Sequence, residues 1–383
     1  MNFEEHAGKP LLKAAGIPVP EGATVTTADA AADVAQKLIG AHGGKVVVKA
    51  QVPTGKRGKA GGIKLAGSAD EAKGVAAAIL GMTIGEHTVE KVLVEQATPF
   101  TREFYAAVIN DPETKGPKIL FSTLGGMDVE EAAEQDPNAM RGLAVDIRKG
   151  PDAAAVRAML DNAGLDGLED AIADVLMKLY TAYSTNDAEL MEINPLAVLE
   201  AGGICALDCK FTMDDSAVPR HEELAKTGTP DKLTGLEAKG KELDLKYIEL
   251  EGDVGVLANG AGLTMTTMDV VRHHGGTPAN FLEIGGEAYT KGTDALRLVL
   301  DNPKVKSLVI NFCGAFARTD VMTQGILNAW DELKPTLPTF WSVHGTGDVE
   351  AVAMLKERLG VDPLPDMSAA CKAAVEAAKG GAK

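Results

Sequence analysis

Helical and extended patterns alternate from the start of the chain. Residues 3–15 carry a helical spacing of apolar positions closed by Gly16, although Pro10 inside it lacks the amide proton that a helix interior uses. Pro18-Val19-Pro20 then forces an extended entry. Thr26–Asp29 and Ser68–Glu71 each place a hydroxyl three residues before a carboxylate, the pairing that satisfies free amides at a helix start. They predict helices near 27–40 and 69–80. The β-branched and aromatic runs at 45–51, 91–97, 102–109 and 117–123 predict strands.

From 151 to 184 the period is helical again, with Val156, Met159 and Leu160 on one face and Ile172, Val175, Leu176 and Leu179 on another. Strand patterns resume at 189 in ELMEINPLAVL and ICALDCK, around the turn-forming Ala201-Gly202-Gly203. Residues 214–245 are polar and rich in turn formers, which makes them the expected linker between a domain over 1–235 and a second over 246–383. Beyond it, near-continuous apolar strands alternate with helices over 262–274, 287–300, 319–333, 348–359 and from 367. Five βα units of this kind predict a doubly wound parallel sheet, whose ligands bind past the strand C-termini. The loops to watch are 259–263, 284–287, 313–318 and 344–348.

Composition narrows the function. A chain of 383 residues is long for one core, so more than one domain is expected. A net charge of −17 argues against nucleic-acid and anionic-membrane partners, which need clustered cations. No stretch approaches the about 18 apolar residues of a membrane span. The opening MNFEEHAGKP resembles neither a signal core nor a transit sequence, which predicts a cytoplasmic protein. Cys205, Cys209, Cys313 and Cys371 form no CxxC pair and are expected as buried thiols; the histidines show no HxxxH or HExxH spacing, so no transition-metal site is expected.

Within an acidic chain, Lys49, Lys56, Arg57 and Lys59 stand out, gathered with glycines just after a strand. Such a loop can wrap phosphates with backbone amides and neutralise them with side chains, or it can be a solvated basic hairpin. It is not a Walker A loop, because GxxxxGK[ST] is absent. Glu192 and Asn194 share a strand face, and a hairpin turning near Ala201–Gly202 brings Asp208 opposite or diagonal to Asn194. An amide oxygen and a carboxylate so placed suit Mg²⁺, which keeps waters and phosphate as its other ligands; the alternative is a polar hairpin edge. Glu95 sits in a strand whose open backbone edge could pair with an adenine, and Glu103 is a candidate for ribose hydroxyls. Asn259-Gly-Ala-Gly and Cys313-Gly-Ala-Phe-Ala-Arg are strand-to-helix turns that can take an anion or simply make the tight turn each βα unit needs.

Taken together, the run 49–62, GGMDVEEAAE at 125–134, MEINPL, ALDCK and NGAGLTMTTMDVVRHHGGTPANFLEIGG at 259–286 resemble the β subunits of succinyl-CoA synthetases, in order and along the whole chain. The resemblance implies an α/β chain with an N-terminal ATP-grasp fold and a flavodoxin-like CoA-ligase domain. It implies nucleotide contacts from Lys49, Lys56, Arg57, Gly58, Glu95, Thr98 and Glu103, and Mg²⁺ ligands at Asn194 and Asp208. Glu192 matches a family glutamate that meets the phosphorylated histidine, and Asn259 with Ala315, Phe316 and Ala317 matches the contacts to the carboxylic acid. Its partner would be an α subunit that carries the phosphohistidine and most of the CoA site. His273 and His274, at a helix end, are read as dipole-stabilised residues and not as its replacement.

Departures from the family bear on the substrate. Pro53-Thr54-Gly55-Lys56-Arg57-Gly58 replaces the usual His-Ala-Gly-Gly-Arg-Gly, and Gly314-Ala315-Phe316-Ala317-Arg318 replaces Gly-Gly-Ile-Val-Arg. Ser342-Val343-His344-Gly345 replaces Arg-Leu-Glu-Gly. Succinate is therefore the default acid, with malate or citrate as alternatives. Pro20, where GTP-selective relatives tend to have glutamine, points to ATP over GTP. Two other readings are a non-catalytic nucleotide-binding regulatory paralogue, disfavoured by the joint presence of Glu192, Asn194 and Asp208, and a self-contained ATP-grasp ligase, disfavoured by the C-terminal domain.

Overall fold

Why the N-terminal half builds a cavity follows from the period-2 alternation of its strands. The computed structural model describes residues 1–126, 139–230, 232–285 and 288–380, and the chain divides into two units, Met1–Asp231 and Lys232–Lys383. In the first unit a four-stranded antiparallel sheet runs Gly22–Val25, Val92–Gln96, Val46–Ala50, Ile63–Ala66. Val46, Val48, Ala50, Val92 and Val94 turn one way, onto helices Ala28–His42 and Ala69–Ile79. Those helices present Ala31, Ala35, Ala72 and Ala76, small enough for close approach to the sheet. Val47, Lys49 and Glu95 turn the other way and line a cavity.

A second sheet, of seven strands among the described residues, has Ala188–Leu199 at its centre between Lys210–Met213 and Phe100–Asp111. Phe104, Ala106, Val108, Met191 and Ile193 pack in a core with Leu12 of the helix Glu5–Ala14 and Ile172, Leu176 and Leu179 of Glu169–Thr185. Their alternates Glu103, Glu192 and Asn194 line the same cavity.

Several expectations need correction. The helix Glu5–Ala14 runs through Pro10, whose ring is exposed, because the buried face Glu5, Gly8, Lys9 and Leu12 holds it in place. It ends as expected at Gly16, where φ is +83° and Ile17 N donates to Leu12 O at 3.0 Å. The cap of the next helix is Thr27, one residue later than Thr26, with its hydroxyl accepting from Ala30 N; Ser68 caps as expected, from Glu71 N. Strand Val92–Gln96 is interior, paired through Gly22–Val25 on one side and Val46–Ala50 on the other, so Glu95 offers no open backbone edge. The stretch 214–245 is not one linker: it holds the helix Gly235–Glu242, started by a capping box at Thr234, and Leu236 and Leu243 pack in the second unit's core.

The second unit is a five-stranded sheet ordered Tyr247–Glu249, Asn280–Ile284, Val254–Asn259, Ser307–Gly314, Thr339–Gly345. The last four are parallel, and Tyr247–Glu249 is an antiparallel edge, so there are four parallel strands where five βα units were expected. The terminal helix Met367–Ala378 follows another helix and has no strand of its own. Neighbouring residues feed opposite faces. Leu257, Leu308 and Ile310 face one core, and Val254, Val256 and Val309 another, formed with the helices Ala261–His273 and Met367–Ala378. Asn280 is buried between strands, donating to Val256 O and accepting from Val256 N.

Candidate functional site

The cavity of the first unit measures about 1530 Å³, and every residue proposed from sequence for nucleotide, metal and phosphohistidine contact lines it. Drug-sized ligands occupy pockets of roughly 300–1000 Å³. Lys49 sits on the cavity face of strand Val46–Ala50, buried to 7% exposure, and its Nζ meets Glu5 Oε1 at 2.9 Å, Glu95 Oε1 at 2.5 Å and Leu207 O at 2.6 Å. Arg57 comes from the loop after that strand. Its Nη1 donates to Glu5 Oε2 at 2.7 Å and to Ala50 O at 3.0 Å, while Nη2 donates to Asp208 Oδ1 and Oδ2 at 2.7 and 2.6 Å. Lys9, one helical turn after Glu5, closes the cluster at 2.7 Å from Glu5 and 2.6 Å from Glu95.

Burial by itself would neutralise these groups, and their mutual pairing prevents it. Burial raises the Glu5 carboxyl, but Lys49, Lys9 and Arg57 outweigh that and hold it well below the usual carboxylate range. Burial lowers Lys49, yet Glu5, Glu95 and Asp208 raise it above the ordinary lysine value. The cluster sets three basic side chains, Lys9, Lys49 and Arg57, against three acidic ones, Glu5, Glu95 and Asp208. Lys56, Gly58 and Lys59, by contrast, are exposed at the rim, with Lys56 at φ +62°. The basic loop is therefore half buried network and half solvated edge.

The strand register brings the two proposed metal ligands together. Leu196 pairs with Ala206 and Glu192 with Lys210, which places Asn194 opposite Asp208. Asp208 lies in the break between strands Ile204–Ala206 and Lys210–Met213, where its Oδ1 accepts from Cys209 N at 2.7 Å. Asn194 Oδ1 accepts from Gly126 N at 2.8 Å. Both offer hard oxygen donors of the kind Mg²⁺ prefers, so the pair fits that ion. Glu192 accepts from Tyr105 Oη at 3.1 Å, and burial together with Glu192 raises the tyrosine's pKa. Burial also raises the Glu103 carboxyl.

In the second unit, Asn259 joins two neighbouring strand ends: its Nδ2 donates to Cys313 O at 2.9 Å and its Oδ1 accepts from Cys313 N at 2.8 Å. Gly260, at φ +79°, then turns the chain into the helix Ala261–His273. Ala315 and Phe316 are exposed, Phe316 completely, and Ala317 packs against the core. Arg318 is held on Asp320 by two contacts of 3.0 Å.

Comparison with known proteins identifies this arrangement. The ATP-grasp domain family matches residues 2–198 and the CoA-ligase family residues 257–378. The chain is 40% identical over 383 residues to the GDP-forming succinate–CoA ligase subunit beta of Thermus thermophilus, covering all of both chains. It is 41% identical over 386 residues to the ADP-forming subunit of Rubrobacter xylanophilus, again covering all of both. The chain belongs to the succinate–CoA ligase β-subunit family. Among solved structures, ATP citrate lyase from Methanothrix soehngenii shares the fold, with TM-score 0.70 at 23% identity over 99% of each chain.

As a succinate–CoA ligase family β subunit, the chain is an enzyme component of the acid–CoA ligase class. The sequence reading named many residues that line the cavity but missed Glu5 among them, and missed Lys9 and Tyr105, which pair with Glu5 and Glu192. An i, i+4 Glu–Lys pair on an opening helix reads as a solvent-facing ion pair, and only its burial reveals otherwise. Residues 127–134 of the GGMDVEEAAE phrase and 286–287 of the loop 284–287 lie outside the described residues. Gly125 and Gly126 before them are informative. A Cβ on Gly125 would meet the Phe104 backbone N at 2.5 Å, and Gly126 sits at φ +72°, so both positions favour glycine, the first for close approach and the second for its backbone conformation. Cys205, Cys209 and Cys371 are buried thiols as expected, whereas Cys313 is exposed beside Asn259 because it ends a strand at the sheet's C-terminal edge.

Proposed function

We propose that the first unit binds Mg²⁺-ATP or Mg²⁺-GTP and phosphorylates a histidine of a partner α subunit, and that the turn 315–317 with Asn259 meets the carboxylic acid, which is then joined to CoA. The observation that carries this reading is the convergence on one cavity of the buried Lys49–Arg57 cluster and the Asn194–Asp208 pair. Lys49 and Arg57 would face the phosphates from the strand and from the loop, with Lys56 and the Gly58 amide at the rim; Glu95, Thr98 and Glu103 would line the nucleoside side. Bound between Asn194 and Asp208, Mg²⁺ would neutralise phosphate charge as it is transferred. Asp208 is shared with Arg57, so metal binding needs the guanidinium to give up part of that carboxylate. Glu192, oriented by Tyr105, would receive the incoming histidine and hold its ring by hydrogen bonding.

Succinate is the acid we assign, with malate and citrate as the competitors that Phe316 brings into question. Two relatives of nearly equal identity carry GDP-forming and ADP-forming names, so the base is tested and not assumed. The chain should be purified alone and with its α partner, and CoA-dependent ADP and GDP formation measured across these acids. Alone it should bind Mg²⁺-nucleotide and form no acyl-CoA; with the partner, acyl-CoA should appear. Turnover by the isolated chain, free of α subunit by mass spectrometry, would sink the half-enzyme reading.

A further inference from the structure

The N-terminal helix contributes a carboxylate to the cavity floor that none of the proposed ligand contacts uses. The Glu5 side chain has no solvent exposure, and its two oxygens are divided between cations from different elements. Oε1 takes Lys49 Nζ, from a strand, at 2.9 Å and Lys9 Nζ at 2.7 Å; Oε2 takes Arg57 Nη1, from the following loop, at 2.7 Å. A carboxylate serving only to fasten the helix to the sheet would need one partner, and an apolar contact would fasten it at least as well. Instead Glu5 links Lys49 to Arg57, which share no contact with each other through any other single helix residue among the described contacts.

We propose that Glu5 is a positioning residue for phosphoryl transfer: its carboxylate fixes the Lys49 ammonium and the Arg57 guanidinium relative to one another before nucleotide arrives. This rests on the reading that the cavity binds nucleotide. Donors held in advance stabilise a transferring phosphoryl group without reorganising as the charge moves. Lys9 has a different part, since it pairs with Glu5 and Glu95 yet does not line the cavity. Glu5→Gln leaves the balanced cluster with one excess positive charge, which should favour phosphate binding while loosening the aim of both cations. Binding and transfer should then move apart.

The test uses the α–β complex with Glu5→Gln and, to restore charge balance without restoring the anchor, Glu5→Gln with Lys9→Met. Calorimetric Kd for Mg²⁺-nucleotide, thermal midpoint and single-turnover phosphorylation of the α histidine are read together. Kd should stay within about threefold of wild type while phosphorylation falls about 100-fold, the scale of a small misplacement of reacting groups. The double variant should recover the thermal midpoint but not the rate, and Glu5→Asp should recover part of the rate. If the single variant does not fold, the double variant decides. Wild-type phosphorylation in either Gln variant overturns the positioning role and leaves the nucleotide reading intact; a wild-type complex that binds no Mg²⁺-nucleotide overturns both.

Discussion

Asp208 answers to two partners, a guanidinium now and a divalent cation in the proposed reaction. Its carboxylate accepts two short contacts from Arg57 and stands opposite Asn194 across the strand pair. Asp208→Asn keeps the shape, can still accept from Arg57 and removes the negative charge. Mg²⁺-dependent phosphorylation of the α histidine should drop by about 100-fold or more, because several kcal/mol of charge stabilisation go with the metal. The fold should persist, since the side chain is partly solvated and Arg57 keeps Glu5 and Ala50 O. Full phosphorylation at ordinary Mg²⁺ would remove Asp208 from the metal site. At this scale the sequence spacing placed Glu192 and Asn194 on one strand and Asp208 across from Asn194, in the break between the two strands that pair with that strand. The spacing was uninformative for Tyr105, whose role depends on a hydrogen bond across strands.

The helix Glu5–Ala14 shows how an element can matter through one buried face. Pro10 costs it the bond to His6 O, and Glu5 and Lys9 supply anchorage that the helix's own backbone lacks. That anchorage is pH-dependent. Glu5, held well below the ordinary carboxylate range by Lys49, Lys9 and Arg57 against the effect of burial, contributes stability that is fully present above the unfolded glutamate value of about 4.3. It is lost as pH falls through the lower folded value. Thermal midpoints of the full chain should therefore lose this contribution only below about pH 4.3, and Glu5→Gln should show a shallower acid limb with a lower midpoint at pH 7. An equally steep acid limb in the variant would mean that other carboxylates carry the acid response. The strand 92–96 makes the complementary point: content and length identified it, but its interior place in the sheet came from pairing with both neighbours.

Across the whole molecule, the two units draw on separate cores: one set of buried residues lies within 1–231 and another, including Leu245, Leu257, Trp341 and Val375, within 232–383. A fragment spanning 232–383 should fold alone, with a cooperative melt by circular dichroism that Mg²⁺-nucleotide does not shift; a fragment that starts at 246 should be less stable, because it lacks Leu236, Leu243 and Leu245. A nucleotide-dependent shift in the first fragment would place a binding site outside the cavity of the first unit. The sequence by itself determined most of the longer helices, many of the strands, the family and many of the polar residues that line the cavity, because local periodicity and contiguous motifs are written along the chain. Tertiary structure alone decided that Tyr247–Glu249 is an antiparallel edge and that Glu95 lies in an interior strand with its carboxylate on buried lysines. It also decided that the helical Glu5–Lys9 pair is buried, with Glu5 on the cavity lining, and is not a solvated face. Burial and pairing between residues 31 to 86 positions apart set those outcomes, and no local pattern encodes them.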